Sequence, residues 1–312
     1  MPAPYSERLV CVGPRAQSPR LSVLTPFYRY DPAPMLAALA GAPRDVEIVL
    51  LDDGSRSATL LSSVIAAAER TGAPVRVIVW EDNRGRAEAR NRLITEARGE
   101  YVLFLDADMI PESPRFLHTW LALIQSQRPF TAFGGLSLAN VSPTSETALH
   151  HDLFARSDCL PAHVRQRRGA QAVASANLLV RRDFLRAAPF DANFTGWGFE
   201  DVDWALSAAR RAPILHIDNP AAHAGLDSVE ALMRKSAEAG PNFARLAAKH
   251  PESVARFAAH RIARMLKHAP MRAHLRKLFA WFARDPLSAT PMPLRRAAFK
   301  LYRASCFAEH LA

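Results

Sequence analysis

Short apolar runs alternate along the first half of the chain with longer segments in which apolar residues recur at helical spacing. Four mostly apolar runs are typical of strands buried on both faces of a parallel sheet: 20–25, 46–51, 75–80 and 101–105. Three segments between them predict helices: 35–40, 59–70 and 87–98. Strands that alternate with helices over short loops predict an α/β fold, with a mostly parallel central sheet flanked by helices.

The pattern continues less regularly after residue 110. It predicts helices at 114–127, 147–164 and 200–211, and strands at 131–138, 173–180 and 214–217. We expect residues 1–19 to be an N-terminal extension, 20–227 to form the α/β domain, and 228–312 to form a helical, basic C-terminal region. The first strand is expected at residue 20.

Polar residues follow each of the four apolar runs. They are Thr25, the pair Asp52 and Asp53, the segment 83–86, and the pair Asp106 and Asp108. The carboxyl ends of parallel strands lie along one edge of a sheet, and open α/β sheets bind their ligands there. The sequence therefore predicts one crevice that all four polar loops line.

The central motif is Val102-Leu-Phe-Leu-Asp-Ala-Asp-Met109. Asp106 and Asp108 follow directly on a buried strand, and two carboxylates there suit a divalent cation with a phosphate ester. The alternative is an Asp-rich turn without a ligand, since Asp is a common turn residue. The Asp-Asp-Gly-Ser segment ending at Ser55 leaves the same two interpretations open.

Composition limits the class of protein. The 312 residues are 49% hydrophobic and 22% charged, as in a globular chain. The three cysteines (Cys11, Cys159 and Cys306) are far apart, which favours a reducing compartment over a disulfide or zinc framework. No signal-peptide pattern and no apolar stretch of about 20 residues is present, so we expect a cytoplasmic protein.

Five motifs in this order resemble those of the family 2 glycosyltransferases, over residues 20 to 225. They are Val23-Leu-Thr-Pro-Phe-Tyr28, Val49-Leu-Leu-Asp-Asp-Gly-Ser55, Asn83-Arg-Gly-Arg-Ala-Glu-Ala-Arg-Asn91, Tyr101-Val-Leu-Phe-Leu-Asp-Ala-Asp108 and Gly196-Trp-Gly-Phe-Glu-Asp-Val-Asp203. The last is similar to the acceptor motif of β-1,4-galactosyltransferases and polypeptide N-acetylgalactosaminyltransferases. The resemblance implies a GT-A fold, with a Rossmann-like nucleotide half, an acceptor half and a helical C-terminal extension.

The resemblance also implies roles on the donor side. Asp108 and His223 would hold Mn²⁺ or Mg²⁺, a mixed O/N ligand set that suits Mn²⁺ well. The residues that would contact the nucleotide sugar are Thr25, Pro26, Asp53, Asn83, Arg86 and Asp106. Among these, Asp53 matches the residue that binds the uracil edge, so a UDP-linked donor is expected. Arg90 and Asn91 are expected only to cap or salt-bridge their helix.

On the acceptor side the resemblance implies that Asp201 is the general base of an inverting transfer. Glu200 would hold acceptor hydroxyls, and Trp197 offers a flat face for a sugar ring. Asp203 is expected to support the helix. The alternative is purely structural, because acidic residues are favourable at any helix N-terminus.

The positive charge lies in the C-terminal region. The chain has a net charge of +10, and residues 256–303 contain twelve Lys or Arg and only one acid, Asp285. Leu275, Leu278, Phe279 and Phe282 would share one helix face. Such a helix either lies on an anionic membrane surface or packs on the catalytic domain with a solvated basic face. No nucleic-acid recognition motif accompanies the charge, so no nucleic-acid partner is expected.

These features predict a metal-dependent inverting glycosyltransferase, cytoplasmic or peripheral at the inner face of the membrane. The donor would be a nucleotide sugar, and the acceptor a hydroxyl of a glycan or lipid-linked saccharide. One alternative is another nucleotide-using α/β transferase, although the glycine-rich triphosphate loop that a nucleotidyltransferase needs is missing. The other is an inactive glycosyltransferase-like binding or scaffold subunit.

Overall fold

The computed structural model describes residues 6–14 and 18–312. Its strands, in chain order, are β1 (Glu7–Val12), β2 (Leu21–Phe27), β3 (Val46–Asp53), β4 (Val75–Trp80), β5 (Tyr101–Leu105), β6 (Met109–Pro111), β7 (Thr131–Phe133), β8 (Leu136–Ser137), β9 (Asn177–Arg181), β10 (Ile214–His216) and β11 (Ala221–His223).

The helices flank the strands in the first two thirds of the chain and form the last third alone. In chain order they are α1 (Ala33–Ala38), α2 (Ala58–Thr71), α3 (Arg86–Glu96), α4 (Phe116–Gln127), α5 (Ala148–Ser157), α6 (Ala162–Arg168), α7 (Arg182–Arg186), α8 (Glu200–Ala209), α9 (Val229–Glu238), α10 (Gly240–Lys249), α11 (Pro251–Val254), α12 (Ala258–Lys267), α13 (Arg272–Arg284) and α14 (Met292–Ala308). A short 3₁₀ turn, Gly169–Ala172, follows α6.

The large sheet has eight strands in the order β1-β4-β3-β2-β5-β9-β7-β10. Strands β4, β3, β2 and β5 are parallel, whereas β1 and β9 run antiparallel to their neighbours. This is the predicted fold class, an α/β fold with a mostly parallel central sheet. The chain fills the sheet outward from β2 to β4 and then returns to the other side of β2, so the strand order reverses between β2 and β5. Ligand crevices form at such a reversal point.

Local sequence explains why these elements form where they do. Every residue of β3 is buried, as its uninterrupted apolar sequence predicts for a central strand. Helix α2 begins where the Ser57 side chain accepts a hydrogen bond from Leu60 N, and it ends at Gly72, whose left-handed backbone suits glycine. The connections stay short, so the carboxyl ends of β2 to β5 remain exposed at one edge.

A second, three-stranded sheet has the order β6-β11-β8. It follows directly on β5, since β6 begins at Met109. The antiparallel register places His223 of β11 opposite Met109. This pairing brings residue 223 beside the end of β5, although the two segments are more than a hundred residues apart in the chain.

The C-terminal region is entirely helical, as predicted, and packs around α14. Phe307 of α14 stacks on Phe243 of α10, with ring centroids 4.3 Å apart. Ala298 and Phe299 of α14 share a second apolar cluster with Ala280 and Ala283 of α13. Across residues 6–14 and 18–312, no helix combines the length and the apolar character that crossing a membrane requires.

Several details differ from the prediction, and among them the expected strand 173–180 begins only at Asn177. The first strand is β1, not β2, since residues 7–12 of the expected extension pair with β4 and form the edge of the sheet. Residues 1–5 and 15–17 of that extension lie outside the described residues. The expected helix 147–164 is two helices, because Pro161 cannot donate a backbone hydrogen bond and disfavours helical backbone just before it. The expected strand 131–138 divides at Gly134 and Gly135, where the chain leaves one sheet for the other.

Candidate active site

A cavity of about 600 Å³ lies at the edge of the sheet where the strand order reverses. The structure places seven of the predicted site residues in its wall: Pro26, Asp53, Asn83, Arg86, Asp106, Asp108 and Trp197. On the acceptor side Glu200 and Asp201 are not among the lining residues, and on the donor side neither His223 nor Thr25 is. Of these, Thr25 is completely buried in β2, so the expected contact between its side chain and the nucleotide is not available in this structure.

Asp53 holds the next loop in place. Its carboxylate accepts hydrogen bonds from Arg84 N (2.7 Å), Gly85 N (3.0 Å) and Asn83 Nδ2 (3.1 Å). Burial raises the pKa of Asp53 to about 6, against the opposing effect of these backbone N–H groups. Gly54 permits the contact, since a Cβ atom there would lie 2.4 Å from Asn83 N. Asp53 and Asn83 therefore act together in shaping the cavity wall.

Asp108 and His223, the two expected metal ligands, lie close together. His223 Nε2 lies 3.2 Å from Asp108 Oδ2. Burial acts to lower the pKa of His223, but the hydrogen bond and the charge of Asp108 outweigh it and the pKa is raised. Phe154 stacks on the imidazole with ring centroids 4.8 Å apart and limits its rotation.

This pair fits a divalent cation. Two ligands at right angles, each about 2.1 Å from an ion, are about 3 Å apart, which matches the observed separation. Gly225 leaves room for the carboxylate, because a Cβ atom there would lie 2.3 Å from Asp108 Oδ2. Within the described part of the chain no group of three or more His, Cys, Asp or Glu is arranged to hold a metal. The remaining ligands would therefore come from a bound diphosphate and water.

Asp106 is held by two arginines. Arg90 Nη2 lies 3.1 Å from Asp106 Oδ1, and Arg86 Nη2 lies 3.1 Å from Asp106 Oδ2. Burial acts to raise the pKa of Asp106, but the charges of Arg90 and Arg86 outweigh it, so the pKa is lowered. Asp106 is therefore a carboxylate that positions Arg86 and Arg90 at the cavity wall.

Glu200 belongs to the same network. Its Oε1 accepts from Arg90 Nη1 at 2.8 Å and lies 3.1 Å from Arg86 Nε. Glu200 is only 4% exposed and does not line the cavity, so its carboxylate engages the arginines rather than standing open to acceptor hydroxyls. Arg90 was expected only to cap or salt-bridge its helix, and the structure places it in the cavity wall. The available signal was the i, i+4 spacing of Arg86 and Arg90, which puts both on one side of α3.

A strained loop precedes α8 on the acceptor side. Gly196, Gly198 and Phe199 all have left-handed backbone, with φ of 71°, 94° and 72°. The Phe199 ring packs against Phe243 and Phe307, and this packing offsets the strain of a non-glycine residue in that conformation. The loop thereby presents Gly196 and Trp197 to the cavity.

Asn242 of α10 fixes this loop from behind. Its Nδ2 donates to the carbonyl oxygens of Thr195 (2.9 Å), Trp197 (3.3 Å) and Gly198 (3.0 Å). A single buried amide thus holds the carbonyl groups of three residues in one loop. No motif in the sequence points to Asn242, since its partner lies more than forty residues earlier.

Asp201 is the second residue of α8. Its Oδ1 accepts from Val202 N at 2.8 Å, and its side chain is half-buried. Burial and the neighbouring charge of Glu200 raise the pKa of Asp201 to about 6, against the opposing charges of Arg90 and Arg86. Asp203 joins α8 to α10, since it accepts from Lys249 Nζ and pairs with His250 Nε2, each at 2.8 Å.

Other lining residues were not predicted, and four of them come from two further segments. Tyr28 and Tyr30 come from the loop after β2, and Lys235 and Glu238 come from α9. Burial and the charge of Asp108 raise the pKa of Tyr30, which places its hydroxyl in the field of that carboxylate. Lys235 Nζ lies 5.7 Å from the centroid of the Trp197 ring and 2.6 Å from Asp227 Oδ2.

The fold and this cavity define an α/β protein of the GT-A type. The family model for glycosyl transferase family 2 matches residues 22–185, just over half of the chain. The chain belongs to that family. The match ends before the acceptor-side loop, α8 and α9.

Similar proteins support this assignment. An undecaprenyl-phosphate 4-deoxy-4-formamido-L-arabinose transferase of Pseudomonas paraeruginosa is 40% identical over 97 residues, 28% of this chain and 28% of the relative. The matched segments span less than half the length of the curated relatives considered, from 22% to 49%.

Two solved structures share the fold. The mannosyltransferase PcManGT of Pyrobaculum calidifontis, in complex with GDP-Man and Mn²⁺, superposes with a TM-score of 0.63 at 17% identity, covering 99% of this chain and 90% of that one. S. aureus TarS 1-349 in complex with UDP gives a TM-score of 0.53 at 18% identity, covering 92% and 90%.

Proposed function

We propose that the protein transfers a sugar from a UDP-linked donor to a hydroxyl group of a glycan or lipid-linked saccharide, with inversion at the anomeric carbon. The observation that carries the proposal is that one cavity contains both the Asp108 carboxylate, beside His223, and the Trp197 ring. The location expected from the sequence, cytoplasmic and at the membrane surface, is part of the same proposal.

The donor half of the cavity supplies the groups that a nucleotide diphosphate needs. Asp108 and His223 would hold Mn²⁺ or Mg²⁺, and the ion would stabilise the charge that develops on the departing diphosphate. Arg86 engages Asp106 through Nη2 and Glu200 through Nε, which leaves Nη1 to face a phosphate oxygen.

The choice of uridine is supported by Asp53. A carboxylate offers about four acceptor positions, and protein donors take three of them here. The fourth can accept an N–H group from the base. Uracil has such a group at N3, whereas cytosine has an acceptor at that position, so a cytidine donor is disfavoured.

Asp201 is the proposed general base. With a pKa of about 6 it is ionised at neutral pH yet basic enough to accept a proton from the acceptor hydroxyl. The hydroxyl oxygen then forms the bond to the anomeric carbon, while the carbon–oxygen bond to the diphosphate breaks and its electron pair leaves with the nucleotide. Trp197 would hold the acceptor ring by stacking.

Nucleotide binding tests the donor assignment. We would measure the affinity of UDP, GDP, dTDP and CDP by calorimetry and thermal shift, with and without Mn²⁺, for the parent, for Asp108→Ala and for the control Asp183→Ala, an exposed acid outside the cavity. Tight metal-dependent UDP binding that only Asp108→Ala abolishes supports the proposal. Absence of binding for every diphosphate would overturn it, and preference for GDP would overturn the uridine assignment.

A further inference from the structure

Helices α12 and α13 bury small residues against their neighbours and leave several large apolar side chains exposed. Ala263, Ala280 and Ala283 are buried against neighbouring helices. In the described residues ten large hydrophobic side chains are exposed, and six of them lie between residues 265 and 294. We define the outer face by the five nearest α12 and α13: Met265 (76% exposed), Met271 (68%), Leu278 (49%), Trp281 (43%) and Leu287 (70%).

This face differs from the one that the sequence pattern predicted. Leu275, Phe279 and Phe282 of the predicted apolar face are partly buried. Leu278 is exposed instead. Met271, Leu278 and Trp281 are separated by seven and three residues, a spacing that places them on one side of a helix. Helix α13 therefore has two apolar sides, and only the inner one is covered by the rest of the chain.

Uncompensated positive charge surrounds the outer face. Arg261, Arg264 and Lys277 are exposed, and within residues 6–14 and 18–312 no carboxylate lies within 4.0 Å of any of them. The only acid between residues 256 and 303, Asp285, pairs with Arg295. The partner of this surface must therefore offer negative charge next to an apolar layer.

We propose that the outer face docks on an anionic membrane surface, with Met271, Leu278 and Trp281 entering the interface and the cations contacting lipid headgroups. An apolar stripe flanked by Lys and Arg is the composition that interfacial helices require. A second copy of the chain would bring positive charge against positive charge, and a nucleic acid would leave the exposed aliphatic side chains unmatched. The inference rests on the proposed function, since docking on the membrane would bring the cavity to a lipid-linked acceptor.

Flotation of the full chain with vesicles tests the proposal. We expect binding to phosphatidylcholine vesicles containing about 30% phosphatidylglycerol, weak binding to pure phosphatidylcholine, and release as the salt rises from about 0.1 to about 0.5 M. Leu278→Ser with Trp281→Ser should reduce binding at least tenfold, and Lys277→Glu by about fivefold or more. The controls are Leu9→Ser and Arg8→Glu, which change an equally exposed apolar residue and a cation on β1.

Trp281 supplies an independent readout. Its emission should shift to shorter wavelength and be quenched by brominated lipid when vesicles are added, and Trp281→Phe should lose both signals. The proposal would be overturned by equal binding to neutral and anionic vesicles or by unchanged binding of the Leu278→Ser/Trp281→Ser variant. It would also be overturned if the parent formed a dimer that this variant disrupts. Circular dichroism confirms that the variants fold. UDP binding, measured separately, distinguishes failure of the docking from failure of the donor assignment.

Discussion

Arg90 and Glu200 form a buried ion pair, with Nη1 of the guanidinium 2.8 Å from Oε1 of the carboxylate. The same guanidinium contacts Asp106 at 3.1 Å. Arg90 has no exposed surface, so it connects the end of β5 with the start of α8 from inside the protein. The carboxylates of the donor side and the helix that presents Asp201 are thus parts of one charge network.

Replacing Arg90 with Met should damage both stability and activity. It leaves Asp106 and Glu200 as partly uncompensated buried charges, which typically costs about 3–5 kcal/mol of unfolding free energy. It also releases α8, so the rate of transfer should fall at least a hundredfold as Asp201 loses its position. Chemical denaturation and steady-state kinetics measure the two effects.

Arg92→Met is the matched control on the same helix. Arg92 pairs with Glu7 and Glu96 but is partly exposed, so we expect a loss of at most about 1 kcal/mol and unchanged kinetics. Adding Glu200→Gln to Arg90→Met should recover part of the stability without recovering activity. A fully active Arg90→Met variant would show that the network has no part in positioning.

The parts of the fold that could be predicted are those with local causes. Strands β4 and β5 coincide with the predicted 75–80 and 101–105, because continuous apolar runs between polar turns have few alternatives. The convergence of Asp53 and Asp106 followed from parallel topology, since strand ends share an edge. The approach of His223 to Asp108 was expected from the family resemblance, not from periodicity.

The remaining features depend on contacts that no local pattern specifies. Strand β1 is short and mostly exposed, and it forms by pairing with the edge that β4 offers, a contact that the segment's own sequence does not specify. Arg90 lies in a segment whose sequence is typical of an exposed helix surface. Its burial depends on carboxylates from two distant segments. Lys235 enters the cavity only through the packing of the C-terminal helices.

Gly225→Ala should remove metal-dependent nucleotide binding with little loss of stability. The added Cβ atom would lie 2.3 Å from Asp108 Oδ2, and the carboxylate, as the free end of a side chain, can rotate away. Because His223 then loses its partner ligand, we expect the Mn²⁺-dependent part of the UDP affinity to fall at least tenfold. Calorimetry with and without Mn²⁺ measures this change.

Gly41→Ala is the control, and it should lose stability while it keeps nucleotide binding. Gly41 has φ of 73° and open space around its Cβ position, so alanine there is strained without touching the cavity. We expect a loss of about 1 kcal/mol in unfolding free energy and unchanged UDP binding. Equal metal dependence in Gly225→Ala and the parent would show that Asp108 does not need its observed position.

The rate of transfer should depend on the ionisation of Asp201. Its pKa of about 6 predicts that kcat falls as the pH drops through about 6, because the protonated acid cannot accept the proton of the acceptor hydroxyl. Asp201→Asn should lower kcat by roughly 10²–10⁴ at neutral pH and leave the UDP affinity unchanged. A pH–rate profile and calorimetry test both statements, and a flat profile in the parent would contradict them.

The same group affects stability in a defined direction. Since the folded pKa of Asp201 lies above its ordinary value of 3.8, the folded state binds the proton more tightly than the unfolded state. The contribution of Asp201 to stability therefore decreases as the pH rises from about 4 to about 6. Asp201→Asn lacks this loss, so its unfolding free energy relative to the parent should increase over that range. Urea denaturation at several pH values provides the comparison.

Trp197 should govern acceptor binding without affecting the donor. Its ring lines the cavity on a loop that Asn242 fixes, so it is held ready to stack on a sugar. Trp197→Ala should raise the KM for a water-soluble acceptor about tenfold and leave the UDP affinity unchanged, whereas Trp197→Phe should keep most of the stacking. Trp281→Ala, on the outer face of α13, is the matched control and should leave this KM unchanged. If Trp197→Ala weakened UDP binding and acceptor binding alike, the ring would belong to the donor subsite, and the acceptor would have to lie against another part of the wall.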